Sequence, residues 1–207
     1  MFLTSRFLPV FFDVMSQVEW MFFMQILTAG GLANMAPVIF KKFMKNATPL
    51  DCGKIWNNKR VLGDGKTSRG FLYGILLAGI GIYLLYYITT LFFGWSKLGG
   101  PKYYWDFPTA SILSLIGLLI GLYFGFFALL GDTIASFVKR RLGIPRGQSW
   151  LFFDQTDWAF GLLLGIAILP YFFPWNWYFL MIIPVAFVLH IIIKFVGYKL
   201  KIDTKPI

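Results

Sequence analysis

The chain has 207 residues, of which 58% are hydrophobic and only 14% are charged, and its mean hydropathy is +0.69. Soluble domains carry about 25% charged residues, so the composition excludes an ordinary soluble protein and predicts an all-α, polytopic membrane protein whose single domain covers residues 1–207. The net charge of +10 would suggest nucleic acid binding in a soluble protein. In a membrane protein, basic residues that flank the helices account for it, and we expect no nucleic acid partner.

The N-terminal segment, "MFLTSRFLPVFFDVMSQ", is too short to cross a bilayer and is interrupted by Pro9 and Asp13. It has no small-residue cleavage site, so we interpret it as an interfacial lead-in rather than a signal peptide. The first of five predicted transmembrane helices follows at about 19–40, with Asn34 and Pro37 near its end.

Segment 41–70 is basic and ends in a glycine-rich stretch, "GDGKTSRG" (63–70). It is not a nucleotide-binding P-loop, because Arg60 stands where the first glycine should be and no strand is predicted before it. It also resembles the opening of the CDP-alcohol phosphotransferase motif, but the two aspartates that this family needs on the next helix are missing. Two interpretations remain open: a turn at the start of a membrane helix, or a loop that binds phosphate through backbone N–H groups, Lys66, Thr67 and Arg69.

The remaining predicted helices cover about 71–93, 109–130, 158–173 and 177–196. In the third, Gly117, Gly121 and Gly125 recur every four residues, a spacing that lets a neighbouring helix approach closely. Pro174 and the Trp175/Trp177 pair predict a tight turn at a membrane interface between the last two helices.

The basic residues are distributed unequally between the two sides of these helices. Sixteen of the 19 fall in segments 41–70 and 131–157 and at the C-terminal end. The positive-inside rule then predicts a multi-pass protein of the cell membrane with its N-terminus outside, its C-terminus in the cytoplasm and its active site facing the cytoplasm. This orientation requires an odd number of helices, which five satisfies.

Segment 131–157, "GDTIASFVKRRLGIPRGQSWLFFDQTD", combines acids and bases. Asp154 and Asp157 would be neighbours on a helix, with Cβ atoms about 5–6 Å apart. Oxygen ligands of this kind suit Mg²⁺, although a cap on the fourth helix is an equally good interpretation of the pair taken alone. If residues 132–140 are helical, one face carries an acid and several polar or basic groups: Asp132, Ser136, Lys139 and Arg140.

The basic triplet 139–141 could alternatively contact anionic lipid headgroups. The single cysteine, Cys52, excludes an internal disulfide and a cysteine metal site. His190 is the only histidine, and we expect it to form a hydrogen bond within the fifth helix rather than to act in catalysis.

Taken together, these motifs resemble the CTP-dependent cytidylyltransferases of lipid biosynthesis. The CDP-diacylglycerol synthase signature contains Gly-Asp, then Ser, then Lys-Arg, and finally a group of acids. This chain matches these features in the same order at residues 131–132, 136, 139–140 and 154–157. The Pro-Gly-His-Gly-Gly segment of those enzymes is replaced by "RGQSWLFF". The chain more closely resembles the archaeal CDP-archaeol synthases, which are small five-span proteins, through Asn34, "GDGKTSRG", "GDTIASFVKRRLGIPRG" and "DQTD".

This resemblance implies transfer of CMP from CTP to the phosphate of an unsaturated isoprenoid ether lipid, digeranylgeranylglycerol phosphate, with Mg²⁺. The implied catalytic residues are Asp132, Asp154, Asp157 and Lys139, and the three aspartates are also the implied metal ligands, with Asp64 as a helper. The implied substrate-binding set adds residues on the same side of the membrane: Asn34, Asp64, Lys66, Thr67, Arg69, Ser136, Lys139, Arg140, Arg141 and Arg146. The alternatives are a CDP-diacylglycerol-type synthase and a membrane transporter or scaffold without enzymatic activity.

Overall fold

The computed structural model describes residues 17–40, 43, 46–93, 110–145, 148, 150, 152–169 and 177–199. Four predicted features lie outside these residues: the N-terminal lead-in up to residue 16, the outer segment 94–109, Arg146, and Pro174 and Trp175 of the predicted turn. The described chain is mostly helical: α1 (Gln17–Ile39), α2 (Ser68–Phe93), α3 (Ala110–Arg141), α4 (Phe153–Ile168) and α5 (Ile182–Lys199), with a 3₁₀ helix (Trp177–Met181) before α5.

Three of these helices contain stretches long and apolar enough to cross a membrane: Trp20–Ile39, Ser68–Thr89 and Ser114–Arg141. A shorter apolar helical stretch covers Tyr178–Ile192. The helix α4 has 16 residues, which corresponds to about 24 Å at 1.5 Å per residue. The structure therefore shows a helical membrane protein, and the count of five spans stays a prediction.

Close packing between α2 and α3, the most extensive helix pair, depends on glycine. A Cβ atom on Gly121 would lie 2.5 Å from the carbonyl oxygen of Ala78, and one on Gly125 would lie 2.6 Å from the Cβ of Ala78. Real side chains do not approach this closely, so the backbones could not pack at this distance with larger residues. The predicted role of the glycine spacing in the third helix is confirmed.

Two helices differ from the prediction in ways that affect the site. The third helix does not end near residue 130 but continues to Arg141, so the first part of segment 131–157 is helical and not a loop. The fourth begins at Phe153 rather than Trp158. The glycine at 143, with φ of 77°, ends α3, and the N–H of Ile144 donates to the carbonyl of Lys139 at 3.0 Å.

The structure also contains a small β-hairpin that was not predicted, formed by β1 (Ile55–Trp56) and β2 (Lys59–Arg60). Asn57 and Asn58 both have positive φ angles, 52° and 56°, which is the requirement of a two-residue type I′ turn. The expectation that no strand precedes "GDGKTSRG" was therefore wrong, because β2 precedes it. The missing first glycine still separates this loop from a P-loop.

Candidate active site

Two aspartates from different helices are brought together where α3 and α4 cross. A Cβ atom on Gly131 would lie 2.7 Å from the backbone nitrogen of Gly161, and a Cβ atom on Gly161 would overlap the carbonyl oxygen of Phe127. Glycine at both positions lets the two backbones touch. Because Asp132 follows Gly131 and Asp157 lies one turn before Gly161, this crossing places the two carboxyl groups side by side.

The acid pair, Asp132 and Asp157, has one basic partner in the described part of the chain, Lys66. The two carboxyl groups lie within hydrogen-bonding contact of each other, and Asp157 is only 9% exposed. The Lys66 ammonium donates to both oxygens of Asp132 at 2.5 Å and also interacts electrostatically with Asp157. One ammonium thus serves two carboxylates, and such a pair favours either a shared proton or a further cation.

The third predicted metal ligand, Asp154, is held apart from this pair by a lysine. Lys139 donates to both of its carboxylate oxygens at 2.8 Å and also to the carbonyl of Gln148 at 3.0 Å. The same carboxylate accepts the N–H of Trp150 at 2.8 Å. Asp154 does not cap α4 with its side chain: the N-cap residue is Phe152, with φ of 62°.

The side chains available as ligands decide whether this site fits Mg²⁺. Among the described residues, no three Asp, Glu, His or Cys side chains lie close enough to hold a metal together, so the structure brings together two of the three predicted ligands. Mg²⁺ is commonly held by one or two carboxylates, with substrate phosphates and water completing its shell. The Asp132–Asp157 pair fits that pattern.

The loop before α2 is organised by a buried aspartate to which the sequence analysis assigned no role. The Asp51 side chain is 1% exposed, pairs with Arg60 at 2.9 Å, and accepts the N–H groups of Gly53, Leu62 and Gly63 at 3.0–3.1 Å. Burial favours its neutral form, but the guanidinium and the three N–H donors outweigh burial and hold the pKa of Asp51 well below its usual range. Asp51 is one of only two acids among the bases of segment 41–70, which was the available signal.

A polar cavity of about 240 Å³ lies between this loop and α3. Three basic side chains, one acid and one hydroxyl line it beside Leu62 and two glycines: Arg60, Leu62, Gly63, Asp64, Gly65, Lys66, Ser136 and Arg140. Asp64 is tied to Arg60 by a salt bridge of 2.9 Å. The nitrogen Nε of Arg140 is buried and has no partner among the described residues, while its Nη1 donates to the carbonyl of Ile144. Cations around a cavity of this size are suited to phosphate groups.

The other predicted substrate-binding residues occupy varied positions. Arg141 does not face the cavity: it donates to the carbonyls of Trp56, Lys59 and Arg60 and so holds the hairpin on α3. The hydroxyl of Thr67 accepts the N–H of Gly70 at 3.1 Å and caps α2. Arg69 reaches the carbonyl of Phe43 at 3.5 Å. Asn34 lies in the last two turns of α1, partly exposed.

A second, apolar groove of about 400 Å³ runs between α3 and α4. Ile134 and Val138 line it from α3, and Phe160 and Leu164 line it from α4. Because Ile134, Phe160 and Leu164 are 40–47% exposed, the groove lies at the outer surface of the helix bundle. Asp157 also lines it, so the acid pair stands between an apolar groove and, on the side of Lys66, the polar cavity.

Comparisons with known proteins identify relatives of this chain. A family model described as CDP-archaeol synthase matches residues 15–206. The CDP-archaeol synthase of Methanoregula boonei is 36% identical over 77% of this chain and 89% of its own length. The CDP-archaeol synthase of Sulfurisphaera tokodaii is 31% identical over 96% of this chain and 99% of its own length. A solved structure, described as an intramembrane enzyme for archaeal membrane lipids biosynthesis, is 28% identical with a TM-score of 0.59, covering 86% of this chain and 94% of that chain.

Proposed function

The chain belongs to the CDP-archaeol synthase family, and from that premise we propose how its residues perform the reaction. The enzyme transfers CMP from CTP to the phosphate of an archaeal lipid. We assign this transfer to the acid pair, the polar cavity and the apolar groove. The finer proposal for the acceptor is an unsaturated ether lipid, digeranylgeranylglycerol phosphate.

The reaction joins two polyanions. A lipid phosphate oxygen attacks the α-phosphorus of CTP, the bond from that phosphorus to the bridging oxygen of the β-phosphate breaks, and pyrophosphate leaves with that oxygen. A phosphomonoester has a second pKa near 6, so the attacking oxygen is already largely ionised at neutral pH. No protein base is needed to remove a proton, which agrees with the single histidine, His190, lying on α5.

One observation carries the assignment: the acid pair separates a polar cavity with basic walls from an apolar groove at the bundle surface. The cavity suits a triphosphate, and the groove suits isoprenoid chains that remain partly in the bilayer. A lipid in the groove has its phosphate at the level of Asp157, next to the cavity. Proximity of this kind supplies much of the catalysis in phosphoryl-group transfer.

The roles of the basic residues follow from their positions. Arg140, Lys66 and Arg60 line the cavity and bind the phosphates of CTP, and Ser136 adds a hydroxyl between them. Lys139 orients Asp154 and neutralises it. Arg69 lies at the start of α2 and Asn34 near the end of α1, on the same side of the bundle. There they bind the lipid phosphate or CTP. Arg146 stays a predicted phosphate ligand.

Asp132 and Asp157 are the residues that would hold Mg²⁺, and Asp154 would join them once Lys139 transfers to a phosphate. When bound, the ion supplies positive charge to the α-phosphate and to the leaving pyrophosphate. The five-span topology, with these residues on the cytoplasmic side where CTP is available, completes the proposal.

The acceptor is tested with purified protein, CTP labelled in its α-phosphate, Mg²⁺ and a panel of lipids. The panel contains digeranylgeranylglycerol phosphate, its saturated form, a diacylglycerol phosphate and a polyprenol phosphate. We expect labelled product chiefly with the first. Preference for the diacyl lipid would favour the CDP-diacylglycerol-type alternative, and no labelled lipid with any acceptor would favour the transporter or scaffold.

A further inference from the structure

Lys66 contacts both features that the proposed function requires, the acid pair and the phosphate cavity. Its ammonium donates to Asp132 through both carboxylate oxygens at 2.5 Å, although 66 residues separate the two in the sequence. Its side chain also lines the polar cavity together with Arg60 and Arg140. The side chain is 26% exposed and that of Asp132 is 21% exposed, so neither is sealed in the protein.

The charge balance indicates what this contact does in the absence of substrate. Asp132 and Asp157 lie against each other, and no other basic side chain in the described part of the chain forms a salt bridge with either of them. Two carboxyl groups in contact favour one negative charge over two where water is limited. The ammonium of Lys66 supplies the positive charge that keeps them together.

We propose that Lys66 is an internal counter-ion that occupies the acid pair in the empty enzyme, competes there with a divalent cation, and transfers to the phosphates of CTP when metal and nucleotide arrive together. This inference rests on the proposed function. It explains why one lysine lies between the carboxylates and the cavity: on one side it replaces a metal ion, and on the other it neutralises a triphosphate. A divalent ion alone then binds weakly, because it must displace the lysine without offering it another anion.

The first test measures binding of Mn²⁺ alone, by its electron paramagnetic resonance signal, to purified enzyme without nucleotide. Lys66→Gln removes the competing charge, and we expect it to bind Mn²⁺ roughly tenfold more tightly than the unchanged enzyme, given the size of charge interactions at this range. Lys66→Arg keeps the charge and should resemble the unchanged enzyme. The matched control is Lys54→Gln, which removes an exposed lysine from the same loop without touching the acid pair. Equal or weaker Mn²⁺ binding by Lys66→Gln overturns the proposal.

A second measurement avoids dependence on a variant that fails to fold. Reductive methylation of the unchanged enzyme, read residue by residue by mass spectrometry, reports how free each lysine amine is. We expect Mg²⁺ alone, at saturating concentration, to raise the methylation rate of Lys66 and to leave that of Lys54 unchanged. A Lys66 rate that does not respond to saturating Mg²⁺ contradicts the exchange.

Asp132→Asn separates this inference from the proposed function. If it abolishes Mn²⁺ binding while Lys66→Gln fails to strengthen it, the acid pair is the metal site and only the counter-ion role of Lys66 is lost. If Mn²⁺ binds Asp132→Asn as tightly as the unchanged enzyme, the metal assignment itself fails, and the counter-ion proposal fails with it.

Discussion

Two consecutive arginines at the end of α3 show how differently neighbouring residues are used. The Arg141 guanidinium donates to three hairpin carbonyls and lies 5.1 Å from the ring centre of Trp56. Arg140 faces the polar cavity with a buried Nε that has no partner in the described chain. The Nε of Arg141 is also buried without a partner in the described chain, so the cavity is what separates them: Arg140 lines it and is suited to binding, whereas Arg141 is suited to structure.

This contrast gives the first prediction. Arg140→Gln should raise the KM for CTP roughly tenfold by removing a charged phosphate contact, and it should lower the melting temperature less than Arg141→Gln does, because Arg140 donates to one carbonyl, that of Ile144, and Arg141 to three. Arg141→Gln should instead lower the free energy of unfolding by about 1–3 kcal/mol, because hairpin carbonyls lose a charged donor. Steady-state kinetics and thermal unfolding of both variants check this, and identical profiles for the two would contradict it.

The second prediction at the residue scale concerns how stability depends on pH. Asp51 has a folded pKa held far below its ordinary value of 3.8. Its contribution to stability is therefore present above that value and is lost as the pH falls through it towards the folded pKa. Asp51→Asn should lower the melting temperature at neutral pH, and the difference from the unchanged enzyme should shrink below about pH 4. A difference that stays constant from neutral to acid pH would show that the charge of Asp51 does not stabilise the loop.

At the scale of elements, the crossing of α3 and α4 determines the site. Because α3 continues past the predicted end at residue 130, Asp132 is carried on a rigid helix. Because α4 begins at Phe153, Asp157 lies inside a helix as well. The distance between the acids is therefore fixed by how closely the two backbones pack, and not by a loop.

Gly161→Ala tests this dependence. The added methyl group would overlap the carbonyl of Phe127, so the helices must separate, with a cost of about 1–3 kcal/mol for overpacking and a loss of most CMP transfer. The matched control is Gly31→Ala in α1, where a Cβ meets nothing within 4 Å. Activity and melting temperature should change in the first variant only; full activity in Gly161→Ala would mean that the crossing does not position the acids.

At the scale of the whole molecule, labelling of one cysteine can show which side of the membrane the site faces. Cys52 is the single cysteine of the chain and is exposed, next to Asp51 in the loop before α2. If that loop is cytoplasmic, a membrane-impermeant maleimide should label Cys52 in inside-out vesicles but not in sealed cells. Moving the thiol to the predicted outer segment, with Cys52→Ser and Ser96→Cys combined, should reverse the pattern. Labelling of Cys52 in sealed cells would invert the topology.

The sequence predicted the fold and the site to different depths. Hydropathy indicated the helices because a bilayer demands long apolar stretches, and the spacing of Gly117, Gly121 and Gly125 indicated close packing. The pairing of Asp132 with Lys66 and Asp157 could not be predicted, since it depends on a helix crossing between distant segments. The hairpin was missed although Asn57-Asn58 is a typical turn signal, because two-residue strands leave almost no alternation to detect.

The most direct test of the central claim, that CMP transfer takes place at the acid pair, is the rate at which label from the α-phosphate of CTP enters an archaeal lipid phosphate. We compare the unchanged enzyme with Asp132→Asn and Asp157→Asn, both checked for folding by their melting curves. The account predicts that each variant folds and loses at least about a hundredfold in rate, since each removes a charge used in the transition state. Near-full rates in both folded variants would contradict it.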